Sequence, residues 1–398
     1  MKNKGLVVNI LLLFFVLLLF SKITVYAEEI PKIDSEINAD NALKILKEYD
    51  PDGYYIVNYN SQKGWSNFAF WISDIHESNA SALDVAVHEE FHTYSYYKAF
   101  MIGNLFNGET IYIGDEKEIL VDQNSNATIF PTSEMAEQIP SEMRTFRYND
   151  YVSKDSNTSA NLDGAYGLLQ EFTAYSWGMN NQLKLFEYYK SQGNSYDIWS
   201  QFVSGCANNR QAFAEFRFWI LRYLEYARVN YPAVYEHFMQ NQNFIDSYCT
   251  TEKRFELMID EFDSKCEEIV ELCKADGHQV CFYEDYFYFD NRGEDVYGNT
   301  YKMLITETEK EEYQAIEKML FSKGRIKLIG YDIKKGDINW DCEVNRADRM
   351  YLARAIAGWD GYKLPSCEMA DFNDDGIVNR ADRMYLARAI AGWGGYVK

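Results

Sequence analysis

The sequence predicts an α+β fold with a mixed sheet, a mostly helical second half and a small all-α module at the C-terminus. Segments rich in β-branched and aromatic residues occupy the first third, and apolar residues recur at helical spacing across 160–275. A 15-residue segment occurs twice near the end. Strands followed by a run of helices favour α+β over a barrel of alternating units.

The first residues have the features of a signal peptide. Lys2 and Lys4 precede an apolar run from Leu6 to Phe20, which is short for a membrane span of about 20 residues. The small residue Ala27 suits cleavage. We therefore expect residues 1–27 to be removed and the mature protein to work outside the cytoplasm, with no later segment apolar enough to span a bilayer.

The composition excludes some partners. Loss of three signal-peptide lysines moves the net charge from −22 to −25, which argues against binding to nucleic acid or an anionic membrane and fits a secreted protein that binds cations. The 32 Tyr, 25 Phe and 8 Trp indicate a packed aromatic core, with a sugar- or peptide-binding groove as the alternative. Seven cysteines leave at least one unpaired, and Cys266 and Cys273 fit buried thiols.

Residues 28–325 are expected to form one domain. Residues 41–49 have the pattern of an amphipathic helix, whereas 54–60 and 68–74 have strand-like composition. Further along, the patterns predict a hairpin over 109–123 that turns near Gly114 and Asp115, helices over 160–275, and a strand followed by a helix over 301–320.

The segment "DVAVHEEFHTYSYYKAF" (84–100) carries the main chemical signal. The preceding "SNASALDVAV" has cap-type serines followed by apolar spacing, which favours a helix. His88 and His92 are four residues apart, so on a helix they lie on one face. Two imidazoles can then bind one metal ion, and Glu89 can reach a water on that ion. The alternative is an ordinary helix that carries two histidines.

The stretch "HEEFH" matches HExxH and resembles the signature of zinc peptidases. The resemblance implies one catalytic zinc with His88 and His92 as ligands and Glu89 as the general base. A catalytic zinc usually takes three protein ligands and leaves one position for water. Ser95 and Lys98 stand where the metzincin pattern requires Gly and His, so the third ligand is not a histidine at that spacing.

Gluzincins take the third ligand as a glutamate from a later helix, and "LLQEFTAYSWG" (168–178) is the segment most similar to theirs. This resemblance implies Glu171 as the third zinc ligand. The sequence departs from the gluzincin pattern at Phe172, which replaces a glycine, and at Tyr175, which replaces an acidic residue. The gap of 79 residues from His92 is also longer than usual. Glu137 and Glu142 lie nearer, in a polar segment interrupted by proline, and His237 and His278 are expected at the surface.

The resemblance to zinc peptidases implies a mechanism. Zinc lowers the pKa of its water to about 7 and polarises the scissile carbonyl. Glu89 takes a proton from the water and passes it to the leaving amine. A donor must stabilise the oxyanion, and Tyr175 is the prediction, with Tyr166 and His237 as alternatives. Asp84, one turn before His88, either supports a ligand, caps the helix or stays solvated.

The segment "NRADRMYLARAIAGW" occurs at 345–359 and again, letter for letter, at 379–393. An acidic loop precedes each copy, "DINWDCEVNRAD" from Asp337 and "DFNDDGIVNRAD" from Asp371. Oxygen side chains at loop positions 1, 3, 5 and 12, with a backbone carbonyl at position 7, form the EF-hand calcium pattern. Position 12 is Asp instead of Glu, and a helix is expected only after each loop.

This duplicated loop and helix resembles a dockerin, the module that attaches secreted enzymes to a cohesin-bearing scaffold such as the cellulosome. The resemblance covers 332–398 and implies two calcium ions. Cys342 departs from the family because it replaces the glycine at position 6, which the second loop keeps as Gly376. Cys342 and Cys367 either form a disulfide or stay free. The implied calcium ligands are Asp337, Asn339, Asp341, Glu343 and Asp348 in the first loop, and Asp371, Asn373, Asp375, Ile377 and Asp382 in the second; the implied cohesin contacts are Arg346, Ala347, Arg380 and Ala381.

Three functions are therefore compatible with the sequence. The first is a secreted zinc peptidase attached by its dockerin to a cohesin-bearing scaffold. The second is a dockerin-borne glycoside hydrolase or other carbohydrate-active enzyme in polysaccharide degradation. The third is a non-catalytic binding component whose HExxH has lost its activity.

Overall fold

Helices dominate the described part of the chain, and two small antiparallel sheets complete it. The predicted α+β class is therefore confirmed at this coarse level, while the boundaries at 325 and 332 stay predictions. The predicted signal peptide (1–27) and the residues Asn339, Asp341, Cys342 and Glu343 lie outside the described residues. The computed structural model describes residues 38–74, 82–123, 129–156, 158–329, 335–338, 344–359, 362, 367–373 and 375–393.

The N-terminal part forms α1 (Ala39–Tyr49), α2 (Pro51–Lys63), α3 (Phe68–Asp74) and α4 (Ala82–Met101). The helix predicted over 41–49 is confirmed, but the strands predicted over 54–60 and 68–74 are wrong. Aromatic and β-branched composition favoured strands there, whereas the buried residues follow a helical period. Those buried residues are Gly53, Ile56, Val57 and Asn60 in α2, and Phe68 and Ile72 in α3.

The predicted hairpin is confirmed as β1 (Gly108–Gly114) and β2 (Lys117–Asp122), paired antiparallel. Asp115 and Glu116 form the turn with φ of 49° and 58°, and Gly114 before them has φ of 103°. The Tyr112 hydroxyl donates a hydrogen bond to Asp52 Oδ1 at 2.6 Å, which fixes the hairpin to α2. Strand β1 also packs against α4.

The helical stretch predicted over 160–275 is confirmed and forms the centre of the molecule. Helices α7, α9 and α11 pack together, and α7 also packs against α4. Trp177, Trp199 and Trp219 are fully buried, which supports the interpretation of the aromatic residues as core. The helices of this part are α5 (Tyr148–Tyr151), α6 (Ser159–Leu162), α7 (Ala165–Lys184), α8 (Phe186–Gln192), α9 (Tyr196–Asn230), α10 (Pro232–Gln240) and α11 (Gln242–Ala275), preceded by 3₁₀ turns at Thr132–Gln138 and Ser141–Met143.

A second antiparallel sheet, which the sequence analysis missed, follows α11. Its strands lie in the order β3 (Val280–Tyr283), β4 (Tyr286–Phe289) and β5 (Arg292–Asp295). All strand pairs in the described residues are antiparallel, so the predicted mixed sheet is wrong. The strand predicted at the start of 301–320 is also wrong, because Leu304 and Thr308 are buried one helical turn apart. The segment forms α12 (Gly298–Thr308) and α13 (Glu311–Lys323).

The repeated segment forms two equivalent helices, α14 (Arg346–Ile356) and α16 (Arg380–Ile390), with the short α15 (Cys367–Ala370) between them. Helices α14 and α16 contact each other. Buried residues from both repeats form a separate small core, which partly buried neighbours extend. The fully or nearly buried members are Ile338, Val344, Leu352, Ala370 and Leu386.

Cys266 and Cys273 are buried thiols, as expected. The proposed Cys342–Cys367 disulfide involves side chains outside the described residues. Across the described ranges, no helix combines the length and apolar composition needed to cross a membrane.

Candidate metal centre

Helix α4 presents His88 and His92 to the same point. Their Nε2 atoms lie 3.0 Å apart, and their rings meet edge to face with centroids 4.7 Å apart. The helix is fixed because it packs on α2, α3, α7 and β1. Ala86, Val87 and Phe91, which are close to the histidines in the sequence, are buried in this packing. The predicted helix and the predicted proximity of the two imidazoles are thus confirmed.

Glu171 reaches the same point from helix α7. Its Oε2 lies 3.6 Å from His88 Nε2 and 3.4 Å from His92 Nε2. Tetrahedral zinc with ligand bonds of about 2.0 Å places its ligand atoms about 3.3 Å from one another. The three side chains therefore fit one tetrahedral metal ion without rearrangement. No other set of three or more His, Cys, Asp or Glu ligand atoms converges in this way within the described residues.

The electrostatics of the three groups also favour a cation. Burial acts to raise the pKa of Glu171, but His92 and His88 outweigh it and hold that pKa far below its ordinary range. Burial opposes a charge on His92, yet Glu171 raises the His92 pKa to about 9. Burial and the neighbouring His92 lower the pKa of His88. A carboxylate kept ionised between two imidazoles is a suitable ligand set for a divalent metal.

The two glutamates of "HEEFH" have different environments. Glu89 lines a cleft of about 890 Å³ together with His88, His92 and Glu171, so its carboxylate can reach a molecule bound beside the ligands. Glu90 is fully buried on another side of α4. It accepts hydrogen bonds from Asn60 Nδ2 at 2.7 Å and from the backbone N of Asn67 at 2.7 Å, and so connects α4 to the segment after α2.

Arg147 stabilises the site through its contact with Tyr175. It is buried, donates from Nη1 to Glu215 at 2.8 Å and from Nε to the Tyr175 hydroxyl at 3.0 Å. The Tyr175 ring in turn packs edge to face against His88, with centroids 4.4 Å apart. Arg147 and Tyr175 thereby restrict the orientation of the first histidine. Arg147 could not be predicted from the sequence, because its partners come from distant segments.

The three predicted oxyanion donors do not belong to the cleft lining within the described residues. Tyr175 contacts His88 but is not among the described residues that line the cleft. Tyr151 does line the cleft, and its hydroxyl is 3.4 Å from that of Tyr175. Tyr166 is fully buried and its hydroxyl lies 2.8 Å from His237 Nε2. Neither Tyr166 nor His237 is part of the cleft lining in the described residues.

The remaining residues considered from sequence lie elsewhere. Asp84 is buried, and it accepts hydrogen bonds from the backbone N of Val85 and from Asn209 Nδ2 at 3.3 Å instead of contacting His88. Glu137 forms an exposed ion pair with Lys154. Glu142 is exposed. His278 is 3.0 Å from Asp290 Oδ2, and His237 is half-buried instead of exposed.

A buried acidic residue in the cleft besides Glu171 was not predicted. Glu109 on β1 is 4 % exposed, and burial raises its pKa to about 8, with a further contribution from Asp163. Its Oε1 accepts a hydrogen bond from Gln123 Nε2 at 2.9 Å. The burial of Glu109 is visible only in the folded structure, since the sequence of the strand has no motif around it.

In the C-terminal repeats, each position-12 aspartate links its loop to its helix. Asp348 accepts hydrogen bonds from the backbone N of Ile338 at 2.6 Å and of Asn345 at 2.7 Å. Asp382 does the same for Phe372 at 2.8 Å and Asn379 at 2.8 Å. Asn345 and Asn379 also cap α14 and α16, which gives each helix a capping box.

The second loop curls around the carboxylate of Asp371. This carboxylate accepts hydrogen bonds from the backbone N of Asp375 at 3.1 Å and of Gly376 at 2.7 Å. Gly376 has φ of 80°, as the sharp turn at position 6 requires. The backbone N of Ile377 donates to Asp375 Oδ1 at 2.9 Å. The aspartates at positions 1 and 12 of both loops are buried, namely Asp337, Asp348, Asp371 and Asp382.

The predicted partner-binding residues stand at the starts of the two equivalent helices. Arg346, Ala347 and Arg380 are exposed, whereas Ala381 is half-buried. Arg380 and Ala381 border a groove between α14 and α16. The other residues that line this groove are Arg349, Met350, Ala353, Arg383, Met384 and Ala387.

Comparison of the chain with protein-family profiles, with curated proteins and with solved structures finds no match.

The buried carboxyl of Glu109 predicts a pH-dependent stability. Folding raises its pKa from an ordinary 4.5 to about 8, so the folded chain holds this proton more tightly than the unfolded chain does. That stabilisation is complete below about pH 4.5 and is lost as the pH rises through about 8. Glu109→Gln is neutral at every pH. Its melting temperature, relative to wild type, should therefore increase across this pH window.

The matched control is Glu116→Gln, in the exposed turn of the same hairpin, which should show no trend with pH. A difference between Glu109→Gln and wild type that stays constant from acidic to alkaline pH would contradict the prediction.

Proposed function

We propose that the chain is an exported zinc-dependent peptidase, released from its signal peptide after Ala27 and attached through a C-terminal dockerin to a cohesin-bearing scaffold such as the cellulosome. The observation that carries the catalytic part is the convergence of His88, His92 and Glu171 at tetrahedral ligand distances on the wall of a cleft. A carbohydrate-active domain needs no such ligand set. The same geometry also supports an active HExxH over one that has lost its function.

His88, His92 and Glu171 would hold the zinc ion, which when bound would polarise the substrate carbonyl and acidify a water. Glu89, next to His88 and open to the cleft, accepts the water proton and delivers it to the leaving amine. The Tyr175 ring packs against His88, and its hydroxyl lies 3.4 Å from that of Tyr151 and accepts a hydrogen bond from Arg147. Tyr151 faces the cleft and donates a hydrogen bond to the developing oxyanion, while Tyr175 positions it.

The charge of the C-terminal tail (332–398) supports calcium binding. Four aspartates of the two loops are buried, and the bonds described for Asp371, Asp348 and Asp382 come from neutral backbone N–H groups. Calcium binds carboxylate and carbonyl oxygens in such loops. We assign one ion to each repeat, with the ligands implied by the dockerin resemblance.

The first zinc prediction concerns the third ligand. Glu171→Ala removes the carboxylate that lies within 3.6 Å of both imidazoles and should weaken zinc binding by about tenfold or more. Glu137→Ala removes an exposed glutamate and should leave zinc affinity unchanged. Zinc content after dialysis and competition with a chromophoric chelator measure both. Equal zinc affinity in Glu171→Ala and wild type would move the ligand elsewhere.

The second prediction concerns catalysis. Glu89→Gln keeps both histidines and should bind zinc normally, yet lose about two to four orders of magnitude in casein hydrolysis because the proton acceptor is missing. Casein and xylan are assayed in parallel, with and without a chelator. Casein hydrolysis by Glu89→Gln at the wild-type rate, or activity on xylan alone, would exclude the peptidase.

The third prediction concerns calcium. A tail of this size has only a small core, and its buried carboxylates repel one another in the absence of a cation. We expect chelation of calcium to unfold the tail of the full chain, as measured by hydrogen exchange at α14 and α16. Unchanged protection of both helices in excess chelator would contradict calcium-dependent folding.

The fourth prediction concerns the partner. The two helices have identical sequences, so either can present its first residues to a cohesin. Changing Arg346 and Ala347 alone, or Arg380 and Ala381 alone, should leave binding largely intact, and changing all four should abolish it. Complete loss of binding from one single-site pair would exclude two alternative binding orientations.

A further inference from the structure

The cleft beside the candidate metal centre contains a buried carboxylate that the proposed reaction does not use. Glu109 is 4 % exposed, and its Oε1 accepts a hydrogen bond from Gln123. Its Oε2 is buried and has no hydrogen-bond partner within the described residues, although Glu109 lines the cleft. Burial favours the protonated form of this carboxyl, whereas a positively charged donor from a bound molecule would displace the proton and satisfy the oxygen.

The charge of the cleft indicates which donor fits. Its described lining includes no Lys or Arg. A divalent metal at the ligand set would offset the charges of Glu171 and Glu89, which leaves the carboxyl groups of Glu109, Asp150 and Asp163 without a cation in the lining. The acidic lining residues are Glu89, Glu109, Asp150, Asp163 and Glu171.

Asp163 strengthens this negative potential close to Glu109. It is half-buried, and burial raises its pKa. Its charge also contributes to raising the pKa of Glu109 to about 8. Both carboxyls therefore gain from a neighbouring positive charge. A second metal ion is a poorer fit, because Glu109 belongs to no group of three converging ligand atoms among the described residues.

We propose that Glu109, assisted by Asp163, binds an organic cation of the substrate, so that the cleft selects peptides with an ammonium or guanidinium group near the scissile bond. The cation is either the free amino terminus or a Lys or Arg side chain, which share the same chemistry. The scissile bond rests on the proposed peptidase function, whereas binding of the cation requires no turnover.

The test measures binding to the full chain with Glu89→Gln, loaded with zinc so that peptides stay intact. Three peptides are titrated by calorimetry: acetyl-Ala-Lys-Ala-amide, acetyl-Ala-norleucine-Ala-amide, and Ala-norleucine-Ala-amide with a free amino terminus. Norleucine keeps the length of the lysine side chain without its charge. At least one cationic peptide should bind about tenfold more tightly than the neutral peptide. The preferred peptide identifies the source of the cation.

Adding Glu109→Gln should reduce this preference to about twofold or less, because the amide cannot ionise next to the cation as the Glu109 carboxyl can. The amide retains an oxygen for the Gln123 bond, so the fold should persist, and melting temperature checks it. If that variant fails to fold, Asp163→Asn must lower the preference instead. Asp150→Asn, which removes an exposed carboxylate of the same cleft, should leave the preference in place.

Equal affinity for all three peptides, or a preference that survives Glu109→Gln, would overturn the proposal. The two proposals fail separately. If the chain shows the cation preference but no zinc-dependent casein hydrolysis, only the peptidase is excluded. If it hydrolyses casein but shows no cation preference, only the role of Glu109 is excluded.

Discussion

The packing of helix α4 against helix α7 is the constraint on which the candidate site depends. It places an ionised carboxylate between two imidazoles in a buried position, where small displacements carry a large electrostatic cost. Glu90 ties α4 to the N-terminal helices through Asn60 and Asn67. Arg147, anchored on Glu215 of α9, fixes the Tyr175 side of α7. The ligands are therefore oriented before any metal binds.

The sequence predicts the local part of this arrangement well. Two histidines one turn apart need only a helix to meet, and Glu171 stands out as a glutamate among apolar residues in a helical segment. It predicts the N-terminal elements poorly, because tyrosine, isoleucine and valine in 54–60 suit a strand by composition while tertiary packing buries Ile56, Val57 and Asn60 at helical spacing. Glu109 and Arg147 carry no sequence signal, since their environments are assembled from segments far apart in the chain.

Identical sequence does not make the two C-terminal helices equivalent in their surroundings. Both start with the same capping box, and both position-12 aspartates bind the same backbone groups of their loops. Ala347 is nevertheless exposed, whereas Ala381 is half-buried beside the groove. A partner that binds through either helix would meet the same side chains on slightly different surfaces, so the two orientations need not have equal affinity.

The proposed chemistry and the proposed selectivity lie on different elements. The metal ligands and Glu89 belong to α4 and α7, which are held by the helical core, whereas Glu109 belongs to a two-stranded hairpin at the edge of the cleft. Four of the six residues of β2 are exposed, whereas β1 is buried along most of its length and packs against α4. The proposed substrate preference can therefore change through β2 with less effect on the metal ligands than through β1. The buried position of Glu109 limits this freedom, because any replacement must also satisfy Gln123.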